Sequence, residues 1–158
     1  MNKPVEHVDL DDLIELATRL LGDPPPVRDI GLLGSAAARP QTTVFGDDAY
    51  PDLWTKAAAL LQSIVNDHAL IDGNKRLGWL ASAVFLDINR VPITTAPNDD
   101  VYQLVMDVAS GDPPLDDIAR RLQRLGRSDR LSVPPDPPDS FSIPFGDAPR
   151  RAAEAETV

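Results

Sequence analysis

Apolar residues recur at helical spacing in six separate stretches, and proline or glycine punctuates most of the gaps between them. Leu10, Leu13, Ile14, Ala17, Leu20 and Leu21 share one helical face, with Asp9 as a cap and Gly22 as a stop. Pro24, Pro25 and Pro26 then break the chain. Ile30, Leu32, Leu33, Ala36 and Ala37 predict a short second helix that ends before Pro40. A third stripe holds Leu53, Ala57, Leu60, Leu61, Ile64 and Val65, with Pro51 expected in its first turn. Leu77, Leu80, Ala81, Val84, Phe85 and Ile88 mark a fourth. Val101, Leu104, Val105 and Val108 mark a fifth, expected to be capped by Asn98 or Asp99. Leu115, Ile118, Leu122 and Leu125 mark a sixth, started by Pro114 and expected to close at Gly126. Only the segments 41–45 and 91–95 read as extended, the former as a small flap or hairpin. The expected fold is therefore all-α: a compact six-helix domain with a small β flap.

The length of 158 residues suits one such domain. Six of the 16 prolines crowd into residues 127–158, which carry few apolar residues and no period. Such a segment cannot offset its ordering entropy, so it is expected to be a flexible Pro-rich tail behind a domain spanning 1–126. The net charge of −10 repels phosphate backbones and argues against direct nucleic-acid binding. Cysteine is absent, which excludes disulfides and thiol chemistry, and two histidines cannot build a three-His metal site. No apolar run approaches the roughly 18 residues that a membrane span requires. The first residues lack the apolar region of a signal peptide, so a cytoplasmic location is expected. His7 reads as a solvated residue of the polar N-terminus. Trp54 and Trp79 read as packing residues. Arg120, Arg121 and Arg124 read as a salt-paired surface with Asp116 and Asp117.

One segment does not read as scaffold. Residues 68–76 run His-Ala-Leu-Ile-Asp-Gly-Asn-Lys-Arg between two apolar helices. A turn there that enters a helix offers unpaired backbone N–H groups at the positive end of the helix dipole. Gly73 lets the backbone approach a ligand closely and take a positive φ. Lys75 and Arg76 add cations suited to phosphate oxygens. Asp72 brings a carboxylate, and hard Mg²⁺ is commonly held by one or two carboxylates together with phosphate oxygens. Asn74 can donate to a phosphate oxygen and accept from the backbone. His68 closes the preceding helix, and an imidazole with a pKa near 6.5 can take a hydroxyl proton at neutral pH. Base, metal acid and phosphate cradle thus fall within one nonapeptide.

This nonapeptide resembles the core motif of the Fic/Doc family, His-x-Phe-x-Asp/Glu/Asn-Gly/Ala-Asn-(Gly or Lys)-Arg. The adenylylating Fic branch has glycine where this chain has Lys75, and the Doc (death-on-curing) branch has lysine. The Fic branch often carries a second arginine where this chain has Trp79. The stretch 32–41 together with Tyr50 and Pro51 resembles the Doc-type lead into the flap and central helix. The likeness spans roughly residues 9–122. The chain departs from the family pattern at Leu70, which replaces the motif phenylalanine, and at Leu77, which replaces a common threonine.

The resemblance implies a catalytic role for His68, a Mg²⁺ ligand in Asp72, and phosphate contacts from Gly73, Asn74, Lys75 and Arg76. It implies a toxin of a type II toxin–antitoxin pair. Such a toxin moves the γ-phosphoryl group of ATP to a hydroxyl of a translation factor, expected to be a threonine of elongation factor Tu. The flap residues Gln41, Thr42, Thr43, Val44 and Phe45 would hold the target chain by strand addition. Fic proteins often carry an inhibitory Ser/Thr-x-x-x-Glu-Gly/Asn helix. No glutamate here is followed by glycine or asparagine, so inhibition is expected from a Phd-like antitoxin chain. Two alternatives remain open on the sequence: a Fic-type AMP transferase using the same residues, and a catalytically silent partner-binding module.

Overall fold

The computed structural model describes residues 4–93 and 96–131. Six helices form within them: α1 (Leu10–Leu21), α2 (Ile30–Ala38), α3 (Leu53–Asp67), α4 (Asn74–Ile88), α5 (Asn98–Gly111) and α6 (Leu115–Leu131). A 3-10 turn, Arg39–Gln41, follows α2, and then a two-stranded antiparallel hairpin pairs β1 (Thr43–Val44) with β2 (Asp47–Asp48). The all-α expectation holds.

The helix starts follow from local chemistry. Asp9 and Asp52 each close a capping box at α1 and α3, and Asp29 accepts from the Leu32 N–H at α2. Each cap satisfies a donor that the helix itself leaves unpaired. Several boundaries differ from expectation. Pro51 lies before the α3 cap, because the Asp52 carboxylate takes the cap position. At α5 the cap position belongs to Pro97, and Asn98 is already helical. Gly126 does not end α6, which continues to Leu131. A Cβ at Gly126 would sit 2.8 Å from Cη2 of Trp54, so the glycine makes room for the indole inside the helix. The segment 91–93 forms no strand, Thr94 and Thr95 lie outside the described residues, and so does the expected Pro-rich tail beyond Leu131.

Helix α3 is the centre of the molecule. It packs against α2, α4, α5 and α6, with its largest interfaces to α4 and α6. Lys56, Ala57, Ala58, Ala59, Leu60 and Leu61 are consecutively buried, so the middle of α3 is covered on every side rather than on one stripe. The three alanines allow close approach of its neighbours, and Leu60, Leu61 and Ile64 fill the spaces between them. Helices α3 and α4 run antiparallel. Gly78 meets Val65, while four residues on Ser82 Oγ donates to the Ala57 carbonyl at 3.4 Å. Phe85, Leu77, Leu86, Leu13, Leu33, Leu104 and Ile118 complete the core. Each such side chain contributes about 1.5–3 kcal/mol by leaving water. His7 departs from expectation: it is half-buried, its ring lies 5.8 Å from that of Phe85, and its Nδ1 is buried without a hydrogen bond. Among the described residues, no helix is long and apolar enough to cross a membrane.

Candidate functional site

The turn between α3 and α4 is built by the residues that flank it. Helix α3 ends at His68, which takes a left-handed conformation (φ 56°, ψ 44°) and turns the chain away from the helix axis. Ala69 and Leu70 then dive into the core, with Leu70 only 1% exposed. Leucine therefore anchors the turn where a phenylalanine was the family pattern. Asn74 locks the turn from the other end. Its Oδ1 accepts from the Leu70 N–H and its Nδ2 donates to the Leu70 carbonyl, both at 3.0 Å. The expected acceptance from the backbone is present, but a donor expected to face a ligand is spent on the turn itself. Asp72 Oδ1 accepts from the Gly73 N–H at 2.8 Å. Gly73 has φ 89°, and a Cβ there would meet the Leu21 methyls at 2.7 Å. Any other residue would be strained both in conformation and in space.

A third segment braces the turn, and sequence reading missed it. Residues 26–29 run alongside 68–71, with an isolated bridge between Val27 and Leu70. The Ala69 carbonyl accepts from the N–H groups of Arg28 and Asp29 at 2.8 and 3.0 Å, and the Pro26 carbonyl accepts from Ile71 at 2.8 Å. The Arg28 guanidinium donates to the His68 carbonyl. That carbonyl is one of those a helix C-terminus leaves unpaired, and a cation is favoured there. Arg28 lies just past three prolines, and its partner is 40 positions away, so nothing local marks it.

These supports leave a pocket of about 480 Å³ lined by Val65, His68, Ile71, Asp72, Gly73, Asn74, Lys75, Arg76 and Ala109. The loop residues given a chemical role in the sequence, His68, Asp72, Gly73, Asn74, Lys75 and Arg76, all line it. Leu77 and Trp79 turn into the core and do not line it. The flap residues Gln41 to Phe45 do not line it either; Gln41 belongs to the 3-10 turn, and the paired strands are 43–44 and 47–48. Gly73 caps α4 with no side-chain hydrogen bond, unlike the aspartate caps of α1, α2 and α3. The first N–H groups of α4 are therefore left to solvent or to an anion. Arg76 is only 12% exposed, with Nη2 3.9 Å from Asp72 Oδ2, while the Asp72 side chain is 87% exposed. His68 and Lys75 are exposed. Asp67, next to His68, has its carboxyl pushed up by burial, against the pull of Arg39 and His68. The arrangement joins anion-binding donors and two cations to one open carboxylate and one imidazole. Those residues are compatible with a nucleotide phosphate and Mg²⁺, because the start of α4 has no side-chain cap and the Asp72 carboxylate is largely exposed.

A helical domain with this loop at the α3–α4 junction defines a class. The chain belongs to the Fic/DOC family, whose model matches residues 7–86. Among its relatives is the protein called Toxin Doc from Mycolicibacterium smegmatis (strain ATCC 700084 / mc(2)155). The two are 48% identical over 118 residues, which is 74% of this chain and 91% of that protein.

Proposed function

We propose that this chain is a Doc-type toxin that transfers the γ-phosphoryl group of ATP to a hydroxyl of a cytoplasmic translation factor, elongation factor Tu being the expected target. The observation that carries the reading is the convergence of His68, Asp72, Lys75 and Arg76 with the uncapped start of α4 around one pocket. Its likeness to a protein called Toxin Doc supports the toxin class. Lys75 stands where the adenylylating branch has glycine, and its side chain occupies part of the pocket wall. That favours presenting the terminal phosphoryl group to His68 over the one nearest the nucleoside.

In this reading the α4 N–H groups, Lys75 and Arg76 hold the phosphate oxygens. Asn74 and Arg28 keep the turn and the His68 carbonyl in place. The imidazole of His68 takes the proton of the acceptor hydroxyl as its oxygen bonds to the γ-phosphorus. The bond from that phosphorus to the bridging oxygen breaks, and ADP leaves. Asp72 would hold Mg²⁺, which when bound offsets the charge of the phosphates. Inhibition would come from a separate Phd-like antitoxin chain.

Purified protein incubated with bacterial extract and ATP labelled at either the γ or the α phosphate tests the reading. Label from the γ position, lost in His68→Ala and Arg76→Ala, is expected. Label from the α position alone would overturn it in favour of AMP transfer. Expression should arrest growth in the wild type and in neither variant, with unchanged helical circular dichroism.

A further inference from the structure

Two basic side chains that the transfer chemistry leaves unused tie the flap to α3. Lys56 lies in the first turn of α3 and is 4% exposed. Its ammonium donates to Asp48 Oδ2 on β2 at 3.2 Å and to the Tyr50 carbonyl, where the chain leaves the hairpin. Arg39 stands at the other foot. Its Nε donates to Tyr50 Oη at 2.9 Å, and its Nη1 donates to Ser63 Oγ at 3.0 Å and to the Ala59 carbonyl at 3.3 Å. Its guanidinium carbon also lies 5.3 Å from the Tyr50 ring centroid. Tyr50 is therefore held by its carbonyl through one cation and by its phenol through the other. Between the two feet, the Ala49 N–H donates to the Thr42 carbonyl at 2.8 Å. At the free end Val44 is 52% exposed and Phe45 fully so.

Burying an ammonium costs several kcal/mol unless it is paired, and an apolar side chain of similar volume packs as well or better. Lys56 is thus a poor choice for stability alone. What it does that a methionine would not is fix one carboxylate of the flap relative to α3. The same helix carries His68 at its end, and Arg39 grips α3 at Ser63, five residues before it. We infer that Lys56 and Arg39 are positioning residues for the acceptor protein: they fix the flap relative to His68, and so set how tightly the acceptor chain is held without touching nucleotide binding. The inference rests on the transfer reaction proposed above and takes the exposed hairpin tip, Val44 and Phe45, as the edge that holds the acceptor; it adds residues that contact neither reactant.

The full chain carrying Lys56→Met, Lys56→Arg, Asp48→Asn or the Met/Asn pair tests this. Asp48 is largely exposed and Lys56→Met relieves a buried charge, so neither change is expected to unfold the protein. Label transfer from ATP is measured across dilutions of bacterial extract and, separately, across ATP concentrations. Lys56→Met and Asp48→Asn should each raise the extract concentration for half-maximal rate by roughly tenfold, with the ATP dependence unchanged. Amide exchange at residues 43–49 should quicken in both, while α3 stays protected. Lys56→Arg should retain most of the wild-type behaviour, and the double variant should lose little beyond either single one. An unchanged dependence on extract in both single variants would overturn the inference, as would an equal rise in the ATP requirement. A wild type that transfers label from neither position would instead overturn the functional reading itself.

Discussion

His68 owes its place to residues that do no chemistry. Its left-handed backbone is held by a cation on its carbonyl from Arg28 and by the Asn74 amide clasping Leu70 two positions later. The Arg28 bond to the His68 carbonyl is exposed, so water replaces it at little cost in stability, while the fixed orientation of His68 is lost. Arg28→Ala is therefore expected to lower the transfer rate roughly tenfold while moving the melting temperature by only a few degrees. Rate measurement alongside thermal melting checks it; a parallel collapse of both would mean that Arg28 supports the fold and not the turn. Gly73 is the opposite case, a position where bulk is the issue. Gly73→Ala places a methyl group against Leu21 at a φ that alanine avoids, and should cost about 1–3 kcal/mol in urea denaturation. Of the loop residues, His68, Asp72, Gly73, Lys75 and Arg76 were legible because their chemistry and spacing are local. Arg28 was not, because its partner is reached only through the fold.

Helix starts differ in what closes them, and α4 and α5 both begin without a side-chain cap. Helices α1, α2 and α3 start on aspartates that accept from their own first turns, whereas α4 starts on Gly73 with no such acceptor. Asp52→Ala should destabilise the protein by about 1 kcal/mol, read by urea denaturation, with nucleotide binding unaffected. An aspartate cap was easy to see at Asp9. The α3 boundary was not, since Pro51 and Asp52 both suit a helix start and only the capping box with Thr55 decides between them. Gly126 misled for a related reason. A glycine after a periodic run usually marks a stop, but here the neighbouring indole of Trp54 occupies the space a side chain would need.

His7 is a titratable group whose surroundings come from distant parts of the chain, Asp48, Lys56 and Phe85 among them. Burial depresses His7 below its ordinary range and Lys56 adds to this, while Asp48 and Glu6 pull the other way. With a depressed folded value, the unfolded chain takes the proton first as pH falls. Stability is then complete above about pH 6.5 and is lost as pH drops toward the folded value. Urea denaturation between pH 8 and 5 should show that decline, and His7→Gln should flatten it. Leu61→Ala, in the middle of the all-round buried stretch of α3, should cost about 2–5 kcal/mol at every pH.

Periodicity, caps and breakers are local, and they determined six helices, a flap and one polar turn without any knowledge of packing. Side-chain spacing also placed an imidazole, a carboxylate and two cations on that turn, beside a helix start whose free N–H groups favour anions. Only the tertiary structure decided that α3 is enclosed on all sides, that residues 26–29 brace the turn, and that Lys56 and Arg39 fasten the flap. Those contacts join positions 6 to 40 or more apart. Their energy comes from desolvation and from pairing charges out of water, and neither exists until the helices have closed over them.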